Sequence, residues 1–275
     1  LKGENMSARY LAYKILFDIE VNGNYSNMAL NKYLNEAGLD DQDKGFVTEL
    51  VYGIIEKKRY LDYMINKVSK IKVRKMQHPV KLVLRMGVYQ LVYMDGVTDY
   101  AAINESVNIM KKLDKRSASF VNAVLRNISR NLDEVKDISL NTVDKLAIYY
   151  SYEKWIVENL VKEYGFERTE AILRALSQKP NIYLRVNRTK LRPGQSMDYL
   201  VGQIIGRLID QGLEASRVEG LEEAIKVKGL KSIDKPPLFR EGYVSVQDIS
   251  SILVAKVMNP KRESRVLDLC AAPGG

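Results

Sequence analysis

Apolar and polar positions alternate with a helical period through the first half of the chain. After Ser7, a residue suited to capping a helix, the stripe Ala8, Leu11, Ala12, Ile15, Leu16, Ile19 predicts an amphipathic helix. "NGNYSN" interrupts it, and Met28 to Leu34 resumes as a short helix that Gly38 can end. In "DKGFVTELVYGIIEKKRYLDYMINKV" the residues Phe46, Leu50, Ile54 and Ile55 keep helical spacing, although Gly45 and Gly53 each cost about 1 kcal/mol inside a helix. "VKLVLRMGVYQLVY", from Val80 to Tyr93, is apolar on most sides and predicts a central buried helix. Two more helices follow, in "DYAAINESVNIMKKL" and "SASFVNAVLRNISRNL". In the second, Val121, Val124, Leu125 and Ile128 form one face, and Asn122, Arg126 and Arg130 recur at four-residue steps on another. Residues 1–136 therefore read as an all-α bundle of six or seven helices.

The pattern then changes. Ser151 can cap a helix over "YEKWIVENLVKEYG" with Trp155, Ile156, Leu160 and Tyr164 buried, and "ERTEAILRALSQKP" is a further helix that stops before Pro180. In "NIYLRVN" the period becomes two, with Ile182, Leu184 and Val186 opposite Tyr183, Arg185 and Asn187, which is a strand. "SMDYLVGQIIGRLIDQG" predicts a helix ended by Gly212, and "EASRV" and "AIKVKG" predict short strands. Residues 141–235 read as a small α/β subdomain with leading helices. Beyond them come a Pro/Gly hinge in "DKPPLFREGYVSVQD", a helix in "ISSILVAKVMN" and a buried-type strand in "RVLDL".

Composition adds a partner class. The chain has 275 residues and a net charge of +9, which makes a polyanion a reasonable partner. The charge is concentrated. Residues 57–75 hold eight Lys or Arg and one acid, Asp62, and residues 111–130 hold six and one, Asp114. Such runs also occur on any solvated helix face. The candidates for phosphate contact are Lys57, Lys58, Arg59, Lys70, Lys72, Arg74, Lys75, Arg126 and Arg130. A single cysteine, Cys270, excludes an intrachain disulfide. With one cysteine and one histidine, His78, no structural zinc site is expected. No apolar run approaches the ~20 residues of a membrane span, so a cytoplasmic, membrane-free protein is expected.

The last ten residues, "VLDLCAAPGG", run from an apolar strand into small residues with two terminal glycines. Backbone N–H groups at a strand–loop–helix junction can hold an anionic group, and Gly274 and Gly275 would permit close approach. The spacing matches neither a P-loop nor the G-x-G-x-x-G fingerprint. On these residues alone, a tight turn and a ligand loop are both open.

"VLDLCAAPGG" resembles the cofactor loop of RNA cytosine-5 methyltransferases that use S-adenosylmethionine, and "EGYVSVQDISSILVAKVMNP" resembles the segment before it. "YLRVNRTK" resembles the strand that opens the small RNA-binding subdomain of that family. "ARYLAYKILFDIEVNG", "DKGFVTELVYGIIEKKRYLD" and "DYAAINESVNIMKK" with "ASFVNAVLRNI" are similar to NusB, an RNA-binding bundle. The order of these parts is that of the RsmB (Sun) type of small-subunit (16S) ribosomal RNA cytosine-5 methyltransferases.

The resemblance implies a NusB-like bundle (1–136), an α/β RNA-binding subdomain (141–235) and the start of a Rossmann-like methyltransferase domain (236–275). It implies cofactor contact by Cys270, Ala271, Ala272, Pro273, Gly274 and Gly275, and RNA contact by Arg185, Asn187, Arg188 and Lys190. In that family the nucleophilic cysteine lies downstream of this loop. The expectation is therefore a truncated, catalytically inactive chain, monomeric, that retains binding to small-subunit rRNA and binds S-adenosylmethionine weakly or not at all. The other readings are a NusB-like factor for antitermination or rRNA maturation, and a helical protein adaptor.

Overall fold

The computed structural model describes residues 7–178, 180–229, 237–269 and 271. Its contacts divide the chain into two units, 1–177 and 178–275. The division falls inside the 141–235 segment that the sequence sets apart, and it leaves the helices of 143–176 with the bundle.

The first unit opens with α1 (Ala8–Asn22), whose first turn is capped by Ser7 Oγ accepting from the Tyr10 N–H, as the sequence predicts. It continues through α2 (Ser26–Glu36), α3 (Asp41–Val68), α4 (His78–Tyr93), α5 (Asp99–Leu113), α6 (Ala118–Arg130) and α7 (Leu132–Lys136). Helix α4 is the hub, packed by α1, α3, α5 and α6. Its side chains from Leu82 to Leu91 are all buried, which is why its sequence is apolar nearly all round. The α3 glycine that weakens helix propensity has a packing reason. A Cβ on Gly53 would overlap the phenol of Tyr89 on α4. We expect Gly53→Ala to destabilise the unit by about 1–3 kcal/mol in a denaturant titration, despite the helix propensity gained. Adding Tyr89→Leu should recover part of that loss.

Three more helices, α8 (Val143–Tyr149), α9 (Lys154–Tyr164) and α10 (Phe166–Leu176), share a small core of Leu146, Ala147, Tyr150, Val157 and Leu173. Two expectations fail here. Ser151 does not cap α9. It adopts a left-handed φ of 59° and its Oγ accepts from the Tyr60 N–H, while Glu153 occupies the N-cap position with no side-chain bond. Trp155 and Tyr164, expected on the buried side, are 62% and 43% exposed. The inward face of α9 carries Val157, with Leu160 and Val161 beside it, and Trp155 lies on the other side of the first turn.

The second unit is a four-stranded antiparallel sheet in the order β2-β3-β1-β4. Its elements are β1 (Ile182–Val186), α11 (Met197–Asp210), β2 (Glu214–Val218), β3 (Leu221–Lys228), α12 (Pro237–Arg240), β4 (Val244–Val246) and α13 (Ile249–Met258). Leu184 and Val186 of β1, Ile225 and Val227 of β3, and Leu200, Val201, Ile204 and Leu208 of α11 make the core on one face. The stretch read as a hinge contains β4, which pairs with β1 through Leu184↔Val246 and Val186↔Val244. Three residues between Gly242 and Asp248 are too short for a period to show. The predicted strand "RVLDL" is not one. Residues 265–268 form no ladder, and Leu267 and Leu269 are 80% and 87% exposed. A buried-type strand needs neighbours to pair with, and none is present among the described residues.

Candidate nucleic-acid interface

The basic run at 57–75 separates into two parts. In α3, the charges are engaged. Lys57 pairs with Glu56 at 2.7 Å, Lys58 with Glu20 at 3.0 Å and Arg59 with Glu153. Glu20, near the end of α1, collects cations from three places. Arg85 Nη1 reaches it at 2.7 Å and Lys81 at 3.3 Å, in addition to Lys58, and His78 Nδ1 lies 3.7 Å away. Arg85 is itself buried and also donates to both oxygens of Asp62, at 2.7 and 2.8 Å. Burial alone would raise the Glu20 carboxyl. Arg85, with Lys58 and Lys81, more than reverses that and holds it at about 2, against 4.5 ordinarily.

A depressed carboxylate stabilises the folded state above its unfolded pKa, and this is lost as pH falls through the folded one. Stability should therefore drop between about pH 4.5 and pH 2 through Glu20. Urea midpoints measured across that window should show a shallower fall in Glu20→Gln.

In the turn after α3 the charges are presented instead. Asn66 Oδ1 accepts from the Val73 N–H at 2.9 Å, and Ser69 Oγ donates to the Ile71 carbonyl at 2.7 Å. Val73 and Met76 are buried and pin the segment. Lys70, Lys72, Arg74 and Lys75 then project outward, all exposed. Lys72 donates to the Asn66 carbonyl at 3.0 Å, and none of the four has an acid partner among the described residues.

A second basic site lies between α5 and α6. Tyr100, Asn104, Asn122, Arg126, Ser129 and Arg130 line a groove floored by Ile103 and Val107. Arg126 Nε donates to Asn122 Oδ1 at 3.0 Å and Ser129 Oγ to Asp99 Oδ2 at 2.5 Å. Tyr100 is 74% exposed. The sequence picks out Asn122, Arg126 and Arg130 by their spacing. Tyr100 and Asn104 went unread, although they also lie one helical turn apart.

At the end of β1 the predicted residues mostly serve the fold. Asn187 Nδ2 donates to the Gly242 carbonyl at 3.0 Å, and its Oδ1 accepts from Thr189. Arg188 faces Glu223 at 3.4 Å and Glu222 at 3.7 Å, and Lys190 lies over the Tyr243 ring at 5.4 Å. Arg185 is exposed and has no ion pair among the described residues. Of the cofactor-loop residues, only Ala271 is described, outside any helix or strand. Cys270, Ala272, Pro273, Gly274 and Gly275 lie outside the described residues. Among those described, no cluster of three or more His, Cys, Asp or Glu could hold a metal, and no helix is long and apolar enough to cross a membrane.

The geometry thus joins a helical unit bearing unpaired surface cations to a small antiparallel α/β unit. Comparison with known families defines the class. Residues 6–130 belong to the NusB family, and residues 152–234 to the ferredoxin-like domain of the RsmF/B-like methyltransferases. In particular, the chain is a homologue of ribosomal RNA small subunit methyltransferase B. It is 38% identical over 275 residues to the probable enzyme of that name from Bacillus subtilis (strain 168), which covers 98% of this chain and 58% of that protein. It is 32% identical to the probable enzyme of the same name from Synechocystis sp. (strain ATCC 27184 / PCC 6803 / Kazusa), with 98% of this chain and 59% of that protein covered. The chain therefore spans somewhat over half the length of these relatives. The crystal structure of PH0851 shares the fold, with a TM-score of 0.59, 20% identity, and coverage of 95% of this chain and 57% of that one.

Proposed function

We propose that this chain is the RNA-binding N-terminal part of a cytoplasmic enzyme that methylates C5 of a cytosine in small-subunit (16S) ribosomal RNA. S-adenosylmethionine would supply the methyl group, held by Cys270 to Gly275 together with chain that follows. The observation that carries the reading is the surface of α13. It is apolar nearly all round, yet only Ile252 is buried. Leu253, Val254, Val257 and Met258 are 42%, 66%, 84% and 48% exposed. A helix of that composition is normally covered on every side. Val266, Leu267 and Leu269 are likewise exposed, at 54%, 80% and 87%. A catalytic domain continuing from Gly275 would cover both, and would bring the nucleophile this chain lacks.

In this reading the basic turn at 70–75 and the α5–α6 groove grip the RNA, and the chemistry belongs to the missing part. The test is transfer of labelled methyl groups to unmodified small-subunit rRNA. The chain alone should give none. The same chain extended through its downstream reading frame should methylate one cytosine at C5. Steady turnover by the 275-residue chain would overturn the reading.

A further inference from the structure

The end of α3, the turn after it and helix α4 enclose a cavity of about 380 Å³, whose polar lining is Asp62, Asn66, Lys72, Arg74, Lys81 and Arg85. Asp62 and Asn66 come from α3, Lys72 and Arg74 from the turn, and Lys81 and Arg85 from successive turns of α4. Asp62, the acid of this lining, is already held by Nε and Nη2 of Arg85. Glu20 nearby is taken by Arg85, Lys81 and Lys58. Even with both carboxylates counted, positive charge is in clear excess.

Such an excess on an open helix face is simply solvated. Here part of it is buried. Arg85 is 3% exposed, yet only three of its five N–H groups have a carboxylate partner. Lys81 is partly buried, and its contact with Glu20 is a long one at 3.3 Å. Asn66 Oδ1 accepts from the Val73 N–H, which leaves the Asn66 amide nitrogen without an acceptor among the described residues. Lys72 and Arg74 are exposed and stand at the mouth. The surplus is of donors and positive charge, so its complement is an anion rich in acceptor oxygens.

A phosphate monoester fits better than the phosphodiesters within a nucleic-acid chain. It carries close to two negative charges at pH 7 and three acceptor oxygens. It also bears a substituent on one side alone, so it can enter as far as the buried Arg85, whereas a diester is flanked by a ribose on each side. We propose that this cavity binds a phosphate monoester, with Arg85 and Lys81 at its base, Asn66 donating from the side, and Lys72 and Arg74 at the mouth. The 5′-phosphate of an RNA end and a free nucleotide present the same group. The proposal goes beyond the RNA grip described above, which needs only exposed cations and internal phosphates. It divides the turn, giving Lys72 and Arg74 to the cavity and leaving Lys70 and Lys75 outside it.

The test is isothermal titration calorimetry of the 275-residue chain with inorganic phosphate and with adenosine 5′-monophosphate. Both should bind at one site. Lys72→Gln with Arg74→Gln should weaken the nucleotide by about tenfold or more. Lys70→Gln with Lys75→Gln removes the same charge and should weaken it by less than about threefold. All four side chains are exposed, so the comparison does not turn on folding. A short oligoribonucleotide with a 5′-phosphate or a 5′-hydroxyl, followed by fluorescence anisotropy, distinguishes the sources. Preference for the phosphorylated end by about tenfold or more identifies an RNA end as the ligand. Equal affinity for the two ends, with the nucleotide still bound, identifies a free nucleotide. If neither phosphate nor the nucleotide binds and the two ends bind alike, the cavity is not a site, while the RNA-binding reading stands. Equal losses in the two double variants would also overturn the proposal. Nucleotide binding by a chain that holds neither oligonucleotide would uphold the cavity and overturn the RNA-binding reading instead.

Discussion

Arg85→Met is expected to destabilise the helical unit by about 3 kcal/mol or more, a fall in melting temperature of about 6–12 °C. The reason is topological. Arg85 is buried on the central helix α4 and neutralises carboxylates from two other helices, Glu20 on α1 and Asp62 on α3. Its removal leaves Asp62 without its bidentate partner and Glu20 with the more peripheral Lys58 and Lys81. Lys58→Met touches the same acid from an exposed position and should cost under about 1 kcal/mol. The contrast distinguishes a buried clamp from surface charge. A triple variant Arg85→Met, Asp62→Asn, Glu20→Gln should recover most of the loss, because the stranded charges go with their partner. Differential scanning calorimetry of the four proteins checks all of this, and equal effects for Arg85 and Lys58 would refute the clamp.

The second large effect concerns RNA. Replacing Lys70, Lys72, Arg74 and Lys75 together by Gln should lower affinity for small-subunit rRNA by at least about a hundredfold at about 50 mM salt, and flatten the salt slope by roughly three to four. These four have no acid partner among the described residues, so a phosphate replaces only water and counterions. The triple replacement of Lys57, Lys58 and Arg59 should do much less. Each of those groups already pairs with a carboxylate, and a phosphate must compete for it. Stability should be little changed by the quadruple variant, since its side chains are exposed and only Lys72 makes a hydrogen bond of note. Filter binding across a salt series measures both variants, and equal losses would show that the division of the basic run has no bearing on RNA.

That division was not legible in the sequence, where residues 57–75 are one run of positive charge. Glu56 adjoins its partner Lys57 in the sequence, but the acids that engage Lys58 and Arg59 lie elsewhere, Glu20 on α1 and Glu153 ahead of α9, and only the folded bundle brings them near. The helices were legible because burial on one side imposes a period, and Ser7 and the apolar α4 read correctly for that reason. Gly53 read as a weakness until the Tyr89 ring was seen to fill the place of its side chain. Trp155 was misplaced because size and apolarity suggest a core residue, whereas the buried stripe of α9 runs through Val157. Strand β4 was read as a hinge because three residues bounded by turn signals carry no period. Asn187 and Arg188 were placed at the correct strand end, but their side chains hold the turn and the acids of β3. The register that sets Tyr183 opposite Lys226 depends on strand pairing that the sequence does not state.

The central claim is that this chain holds RNA through presented cations. The most direct test is the equilibrium affinity of the purified 275-residue chain for a small-subunit rRNA fragment as a function of salt. The account predicts tight binding at low salt, with log K falling steeply and linearly against log salt, as expected when several phosphates are neutralised. Absence of binding at low salt, or binding indifferent to salt, would contradict it.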